Sequence, residues 1–166
     1  MIIRKYRESD REALKEITAI CFEGVSFEWD IEQLYGPING RDWRWRKKRH
    51  VDADIDANAD GIFVAEEDGE VLGYISTRVD PETKIGGIPN FSVLPGHQKK
   101  GIGRALADAA LEYLESQGML YARIETLAQN EVARHFYPKL GFKEITRQVY
   151  YIKPIGDAEA DSESTE

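Results

Sequence analysis

Apolar and polar residues alternate in some short runs of the chain and recur at helical spacing in others. Alternating or continuously apolar runs predict strands at IIRKYR near the amino terminus, on both sides of Asp68-Gly69, around Gly87–Val93 and in MLYARIETL. The Asp-Gly pair between two such runs is a strong hairpin signal. The run GFKEITRQVYYIKP, residues 141–154, predicts two last strands or one bent strand.

Apolar residues at helical spacing predict the remaining elements. The predicted helices follow Ser9 or Asp10 as a cap, lie near Asp30–Tyr35 and Asp42–His50, run from Gly101 to Gly118, and begin after a cap at Asn130. A hairpin-rich first half followed by a strand–helix–strand stretch predicts an α/β fold with a mixed sheet in one domain. The expected apolar side of the first helix consists of Ala13, Leu14, Ile17, Ile20 and Cys21.

Length and composition suit one globular domain. The chain has 166 residues, of which 42% are hydrophobic. No apolar run approaches the roughly 20 residues needed to cross a bilayer, and the first residues become charged too early for a signal peptide. Cys21 is the only cysteine, which excludes an intrachain disulfide and favours a reducing compartment. We therefore expect a cytoplasmic protein without a membrane partner.

The charge is concentrated at the carboxyl terminus. The net charge is −8, and the last ten residues, DAEADSESTE, carry five acidic residues and no basic one. Because such a composition cannot form a packed surface, residues 155–166 are predicted to be a disordered acidic tail. The remaining chain is only mildly acidic, which argues against a nucleic-acid partner. The sequence is also compatible with a homodimer.

The stretch SVLPGHQKKGIGRAL, residues 92–106, predicts a strand, a glycine-rich loop and a helix start. The first N–H groups of a helix lack partners and lie at the positive end of its dipole, so this arrangement binds anions. Lys99, Lys100 and Arg104 add positive charge. The loop therefore predicts a phosphate site, and the structural alternative is a glycine-rich turn that binds nothing.

Two common phosphate motifs do not fit this loop. In the ATP-binding P-loop a lysine is required where Ile102 stands and a hydroxyl where Gly103 stands. The dinucleotide-binding motif requires a third glycine where Leu106 stands.

A different pattern fits. Gln98-x-x-Gly101-x-Gly103, preceded by Val93 and Pro95 and followed by Arg104-Ala105-Leu106, resembles the coenzyme A pyrophosphate loop of the GNAT superfamily of N-acetyltransferases. A second block, Glu125 to Phe142, resembles a later motif of that superfamily through Asn130, Ala133, Tyr137 and Leu140-Gly141-Phe142. The resemblance covers roughly Ile62 to Ile152.

This resemblance implies a single GNAT-like domain over residues 1–154, with a mixed central sheet of about six or seven strands and about four helices. It implies an acetyltransferase that moves the acetyl group of acetyl-CoA directly to a primary amine, without a metal. A bulge in the strand near Ser92–Val93 would expose backbone N–H groups, and the Val93 N–H would polarise the thioester carbonyl. Tyr137 would hydrogen-bond or protonate the coenzyme A sulfur. The residues implied to bind coenzyme A are Ser92, Val93, Gln98, Lys99, Lys100, Gly101, Ile102, Gly103, Arg104, Ala105, Asn130 and Ala133.

The general base is less clearly marked. Many relatives carry a carboxylate on the strand before the loop, where this chain has Asn90, which cannot take up a proton. Glu125 resembles the base of ribosomal-protein and other amino-terminal acetyltransferases, provided that it faces inward. It is the predicted catalytic residue beside Tyr137, and Glu28 is a second candidate. The implied acceptor is a peptide or protein amino terminus or a small amine.

Several alternatives stay open. A catalytically silent acyl-CoA-binding module is compatible with Asn90 and with Pro138, which would bias Tyr137 away from helical geometry. Residues 56–67 match a calcium-loop pattern but run into an apolar strand. The basic stretch Arg41–Arg49 could bind nucleic acid. A helix with its tryptophans packed inward fits this stretch better, and its cations would favour an acidic acceptor.

Overall fold

The computed structural model of the chain describes residues 1–156. These residues form two compact units, one from Met1–Phe22 and Lys48–Glu125, the other from Glu23–Lys47 and the chain from Thr126 onward. The elements, in chain order, are β1 (Ile2–Lys5), α1 (Arg11–Cys21), α2 (Phe27–Tyr35), α3 (Trp43–Asn58), β2 (Phe63–Glu67), β3 (Glu70–Ile75), β4 (Ile85–Ile88), β5 (Phe91–Val93), α4 (Ile102–Ser116), β6 (Tyr121–Ile124) and α5 (Glu131–Lys139).

The first unit contains both sheets. Strands β1, β2, β3 and β5 form an antiparallel sheet in the order β1-β2-β3-β5, and β4 pairs with β6 in parallel. The predicted hairpin is confirmed, since β2 and β3 are joined at Asp68 and Gly69, both with positive φ. Positive φ at both central residues is the geometry that Asp-Gly supplies in two-residue hairpins. The mixed α/β class is confirmed. The single central sheet is not, because the six strands of residues 1–156 form one sheet of four and one of two, and these residues contain five α-helices rather than about four.

The core of this unit lies between the four-stranded sheet and α1 with the second half of α3. Leu14 and Ile17 are buried as predicted, but Ile20 is 52% exposed. Its place on the buried face is taken by Thr18, whose hydroxyl bonds the Leu14 carbonyl and the Tyr74 hydroxyl. The other core residues packed here are Val51, Ile55, Ile62 and Val64.

The start of α1 differs from the expected cap. Asp10 occupies the N-cap position, but its side chain makes no capping bond to the helix. The carboxylate instead accepts two hydrogen bonds from the Arg4 guanidinium, at 2.8 and 2.9 Å, and one from the Arg7 N–H. The charged partner on β1 therefore takes both carboxylate oxygens away from the helix.

The second unit contains α2, the start of α3, and α5. Asp42 caps α3 by accepting a bond from the Trp45 N–H at 2.8 Å. Trp43 is buried against Trp29 in an edge-to-face contact. The prediction that both tryptophans pack inward is wrong for Trp45, which is 39% exposed and lies under the Arg41 guanidinium.

The predicted helix Asp42–His50 is longer in the structure, since α3 continues to Asn58. The acidic residues in its second half suggest a loop. Val51 and Ile55, four residues apart, keep one side of this segment apolar, and both are buried.

The prediction of strands in residues 141–154 is wrong, because the described residues after α5 contain no strand. Ile145, Val149 and Tyr151 are all exposed, so the apolar positions of this segment are not buried as they would be on a strand face. Tyr150 contacts the Phe27 ring at 4.8 Å within the second unit. Residues 157–166, most of the predicted acidic tail, lie outside the described residues, and the predicted domain boundary stays a prediction.

Candidate functional site

The strand predicted around Gly87–Val93 is interrupted by a bulge. On one side, Gly87 exchanges hydrogen bonds with Arg78, and the Ser76 N–H bonds the Asn90 carbonyl. Between these two hydrogen-bonded positions the chain moves two residues on the β3 side, from Arg78 to Ser76, and three residues on the other side, from Gly87 to Asn90. The second side therefore has one extra residue, which defines a β bulge. Pro89 lies within it, where its missing N–H breaks no ladder bond. The resemblance places this bulge at Ser92–Val93; the structure places it three residues earlier.

Beyond the bulge, β5 pairs only with β3 among the described strands, and we call the space along its other edge the opening beside β5. On the side away from β3, β4 pairs with β6 only up to Ile88 and Ile124. After that point β5 continues along β3, while the chain after β6 leaves the pairing. The splayed strands leave one edge of β5 facing away from the four-stranded sheet.

The Val93 N–H is directed toward this edge. The Leu94 N–H bonds the Leu72 carbonyl at 2.9 Å, and hydrogen-bonded pairs alternate along an antiparallel ladder. Val93, paired with Gly73, is thus a non-hydrogen-bonded position whose N–H and carbonyl point away from β3. An N–H held in this direction can donate to a carbonyl oxygen placed in the opening. This is the geometry that the role implied for Val93 requires.

Two side chains fix the Val93 carbonyl. It accepts hydrogen bonds from Gln98 Nε2 at 3.0 Å and from Cys21 Sγ at 3.4 Å. Burial raises the pKa of the Cys21 thiol to about 11, so the thiol stays protonated and able to donate. Gln98 therefore ties the loop back to β5 through its side chain. Ser92 is buried beside the Cys21 thiol and the Tyr74 hydroxyl, so its side chain faces the core.

The glycine-rich loop delivers a helix N-terminus next to this edge. Gly101 has a φ of +83° and is the N-cap of α4, and the helical ladder begins with the Ala105 N–H to the Gly101 carbonyl. The N–H groups of the first turn, residues 102–104, have no acceptor within the helix and lie at its positive end. Lys99 and Lys100 are exposed beside them. Ile102 is buried and anchors the helix in the core.

The second unit contains Asn130, Ala133 and Tyr137. The cap predicted at Asn130 is confirmed, because its Oδ1 accepts a bond from the Ala133 N–H at 3.2 Å. The Ala133 N–H, which belongs to the residues implied to bind coenzyme A, is therefore already donated to the helix cap. The expected effect of Pro138 is wrong, since α5 runs through it to Lys139 and Tyr137 stays helical.

The Leu140-Gly141-Phe142 motif closes α5 and contacts Tyr137. The Phe142 N–H bonds the Tyr137 carbonyl and the Gly141 N–H bonds the Pro138 carbonyl, which together make a Schellman motif. Gly141 has the positive φ that this motif requires, +93°. The Phe142 ring lies 6.2 Å from the Tyr137 ring, centroid to centroid, so the motif holds the half-buried tyrosine.

The predicted base does not face inward. Glu125 follows the last residue of β6, and its side chain is 67% exposed and paired with Arg123 at 3.3 Å. The second candidate, Glu28 on α2, is buried.

Sequence reasoning missed the partner of Asn90. Asn90 is buried, and its side-chain amide donates to Asp54 on α3. The signal was present, because Asp54 falls between the apolar positions Val51 and Ile55 on the helical face that turns inward.

Comparison with known proteins identifies the family. The model of the family described as "Acetyltransferase (GNAT) family" matches residues 25–142. The chain belongs to this family. Membership confirms the resemblance that the two sequence motifs carry.

Relatives of this GNAT chain include longer proteins. Mycothiol acetyltransferase of Streptomyces avermitilis is 40% identical over 49% of this chain and 27% of its own length. That of Tsukamurella paurometabola is 38% identical over 80% of this chain and 46% of its own. The chain thus spans about a quarter to a half of the length of these relatives. A GNAT family acetyltransferase from Brucella melitensis, solved in complex with acetyl-CoA, is 26% identical with a TM-score of 0.58, covering 86% of this chain and 82% of that one.

The calcium-loop pattern of residues 56–67 begins inside a helix. Asp56 and Asn58 lie within α3, so residues 56–67 do not form a calcium loop. Residues 1–156 contain no cluster of three or more histidine, cysteine or acidic side chains that could bind a metal ion. None of the helices in this range combines the length and the apolar character needed to span a bilayer.

Proposed function

We propose that the protein transfers the acetyl group of acetyl-CoA directly to a primary amine. The observation that carries this proposal is the opening beside β5, toward which the Val93 N–H is directed. A short loop after Val93, the chain reaches the N-cap of α4 at Gly101. The chain therefore offers a donor for a carbonyl oxygen and, close by in sequence, an anion site for a diphosphate. The acetyl-CoA complex of the Brucella melitensis relative supports this choice of donor.

The residues divide the chemistry among them. Bound acetyl-CoA would supply an acetyl thioester, whose transfer to an amine forms an amide bond and releases the coenzyme A thiol. The Val93 N–H would donate to the carbonyl oxygen of the acetyl group. The Tyr137 hydroxyl would provide a proton to the departing sulfur, and the proton that the amine loses would reach Glu125, whose carboxylate is exposed, through solvent. These two roles follow the family motif onto matching positions.

The acceptor that we propose is a small primary amine. The relatives described above from Streptomyces and Tsukamurella are named mycothiol acetyltransferases, which favours a small molecule over a peptide amino terminus. The preference for a peptide depends on Glu125 as an inward-facing base, and this side chain is exposed and paired with Arg123.

An acceptor screen with a tyrosine variant tests the proposal. The wild-type chain is incubated with acetyl-CoA and small primary amines, including the desacetyl form of mycothiol, or peptides with free amino termini. Release of the coenzyme A thiol is measured. We expect turnover with a small amine, and a kcat lowered about a hundredfold in Tyr137→Phe with an unchanged Kd for acetyl-CoA.

Tyr121→Phe is the matched control, since Tyr121 is an exposed tyrosine on β6. Its kcat should equal that of the wild type. Binding of acetyl-CoA without turnover of any amine would identify a silent acyl-CoA-binding module instead. Turnover restricted to peptides would overturn the small-amine acceptor.

A further inference from the structure

A buried carboxylate lies directly behind the bulge. Asp54, on α3, has a side chain that is only 4% exposed. Its Oδ2 accepts hydrogen bonds from Ser76 Oγ and from Asn90 Nδ2, both at 2.6 Å. Its Oδ1 accepts a bond from the Arg78 guanidinium at 2.7 Å. Three donors, two from the segment after β3 and one from the residue before β5, therefore converge on one side chain of a helix.

Two of these donors belong to the residues that close the bulge. The Asn90 N–H bonds Ser76 Oγ at 3.0 Å, and the Ser76 N–H bonds the Asn90 carbonyl at 2.9 Å. Ser76 and Asn90 are thus joined by backbone and side chain, and Asp54 binds both side chains. A bulge leaves one residue outside the ladder, so groups of this kind decide which residue that is.

The register of the bulge decides where the Val93 N–H points. Successive N–H groups of a strand point to opposite edges, so a slip by one residue exchanges the two directions. With Asn90 opposite Ser76, Val93 falls opposite Gly73 and its N–H points away from β3. If Pro89 took the place of Asn90, Val93 would fall opposite Leu72 and its N–H would point into the sheet.

Asp54 is not placed to accept a proton from a substrate. Both carboxylate oxygens are engaged by donors and the side chain is buried. Removing a buried carboxylate that binds three donors leaves those donors without their acceptor, at a substantial cost. The arrangement therefore indicates a structural role for Asp54 at the bulge.

We propose that Asp54 is a positioning residue for acetyl transfer. Through Ser76 and Asn90 it fixes the register of the bulge and keeps the Val93 N–H directed into the opening beside β5. This role depends on the proposed function, in which that N–H donates to the thioester carbonyl.

Asp54→Asn tests the role by separating kcat from coenzyme binding. The NH2 group of the introduced amide would face one of the groups that now donate to Asp54. Two donors cannot bond each other, so the bulge would loosen. We expect kcat to fall about tenfold to a hundredfold, while the Kd for acetyl-CoA stays within about twofold of wild type. The binding residues of the loop and of α4 are not bonded to Asp54. All assays are made well below the unfolding temperature of each variant, and Asp56→Asn, an exposed position on the same helix, is the matched control.

A reciprocal exchange provides the rescue. In the double variant Asp54→Asn with Asn90→Asp, the amide and carboxylate change places and the hydrogen bond between the two positions is reversed. We expect the double variant to recover at least about a tenth of the wild-type kcat. If Asp54→Asn does not fold, Asn90→Ala replaces it, because that change removes one donor and leaves the Ser76 and Arg78 bonds in place.

The outcomes separate this role from the proposed function. If the wild type binds acetyl-CoA but acetylates no amine, the proposed function fails. If the wild type is active and Asp54→Asn retains its kcat within about twofold, the positioning role is overturned. Equal losses of kcat, acetyl-CoA affinity and stability would overturn it too, because they would indicate general disruption.

Discussion

Gly141 shows how one residue holds a candidate catalytic side chain in place. Its φ of +93° lets the last turn of α5 close in a Schellman motif. The same turn carries Phe142 back onto Tyr137. A side chain at position 141 would have to adopt a left-handed backbone that residues other than glycine rarely occupy.

We therefore predict that Gly141→Ala lowers the free energy of unfolding by about 1–2 kcal/mol. In a chain of this size that corresponds to a melting temperature lower by roughly 2–8 °C in thermal denaturation. Gly96→Ala is the control, since Gly96 is exposed, lacks a positive φ, and would have no atom within 4 Å of an added β-carbon. Equal stability of both variants would contradict the role given to the closing turn.

The ionisation of Asp10 should affect the stability of the fold. Hydrogen bonds from the Arg4 guanidinium hold the pKa of Asp10 below its usual value, against the opposing effect of burial, and the Arg7 N–H adds to the lowering. The unfolded chain then binds the proton first as the pH falls below about 4. The stabilisation by Asp10 is present above that pH and is lost as the pH falls through the lower, folded pKa.

Asp10→Asn should reduce the free energy of unfolding at pH 7 by about 1–3 kcal/mol. Between about pH 5 and pH 3 the variant should lose less stability than the wild type, because it has no carboxylate at this position to protonate. Urea denaturation across this pH range measures both effects. Parallel curves for wild type and Asp10→Asn would refute the assignment.

At the scale of elements, α4 connects the loop to the core. A glycine with a φ of +83° stands at each end, Gly101 before the first turn and Gly118 after the last. Only the first end carries the N–H groups that can bind a phosphate. A side chain at either position would therefore meet the same backbone strain, but the two positions lie at opposite ends of the helix dipole.

Replacing each glycine by alanine separates binding from stability. We expect Gly101→Ala and Gly118→Ala to lower the melting temperature by similar amounts, because the backbone strain is alike. Only Gly101→Ala should weaken acetyl-CoA binding, by about tenfold, since it disturbs the N–H groups of the first turn. Isothermal titration calorimetry measures the binding. A loss of affinity in Gly118→Ala as large as in Gly101→Ala would remove the special role of the first turn.

At the scale of the whole molecule, the basic stretch Arg41–Arg49 stands out in a chain with a net charge of −8. The structure distinguishes its members. Arg46 bonds the carbonyls of Arg41 and Glu28 and pairs with Glu32, so it supports the fold locally. Arg44 is exposed, lies over the Trp43 ring and pairs with Glu23 at 3.5 Å. Of the two, Arg44 is the better probe of acceptor charge.

Arg44→Ala should raise the KM for an acidic amine about twofold to fivefold at low salt and leave that for a neutral amine unchanged. The difference should shrink as ionic strength rises, because exposed charges are screened within a Debye length. Arg147→Ala is the matched control, since Arg147 is also exposed and paired with one carboxylate, Glu144. An unchanged KM for the acidic amine at low salt would remove the charge preference.

Much of the fold followed from local patterns. The hairpin at Asp68-Gly69, the cap at Asn130 and the helix start at Gly101 depend on residues a few positions apart, so the sequence specifies them directly. The prediction ends α3 too early, because the acidic residues around Val51 and Ile55 are typical of a loop and make the buried pair hard to recognise. The strands expected in residues 141–154 failed because pairing needs a partner strand, which a local pattern cannot supply.

The candidate site divides in the same way. The sequence by itself determined the glycine loop, the motif around Tyr137 and the family, because these depend on residue types at short, fixed spacings. Only the tertiary structure decided that the bulge lies at Pro89, that Glu125 faces solvent and that Asp54 holds Asn90. The bulge and the Asp54–Asn90 bond join residues distant along the chain, and the exposure of Glu125 depends on which residues around the end of β6 are buried. Burial and hydrogen bonding in the folded state settle all three.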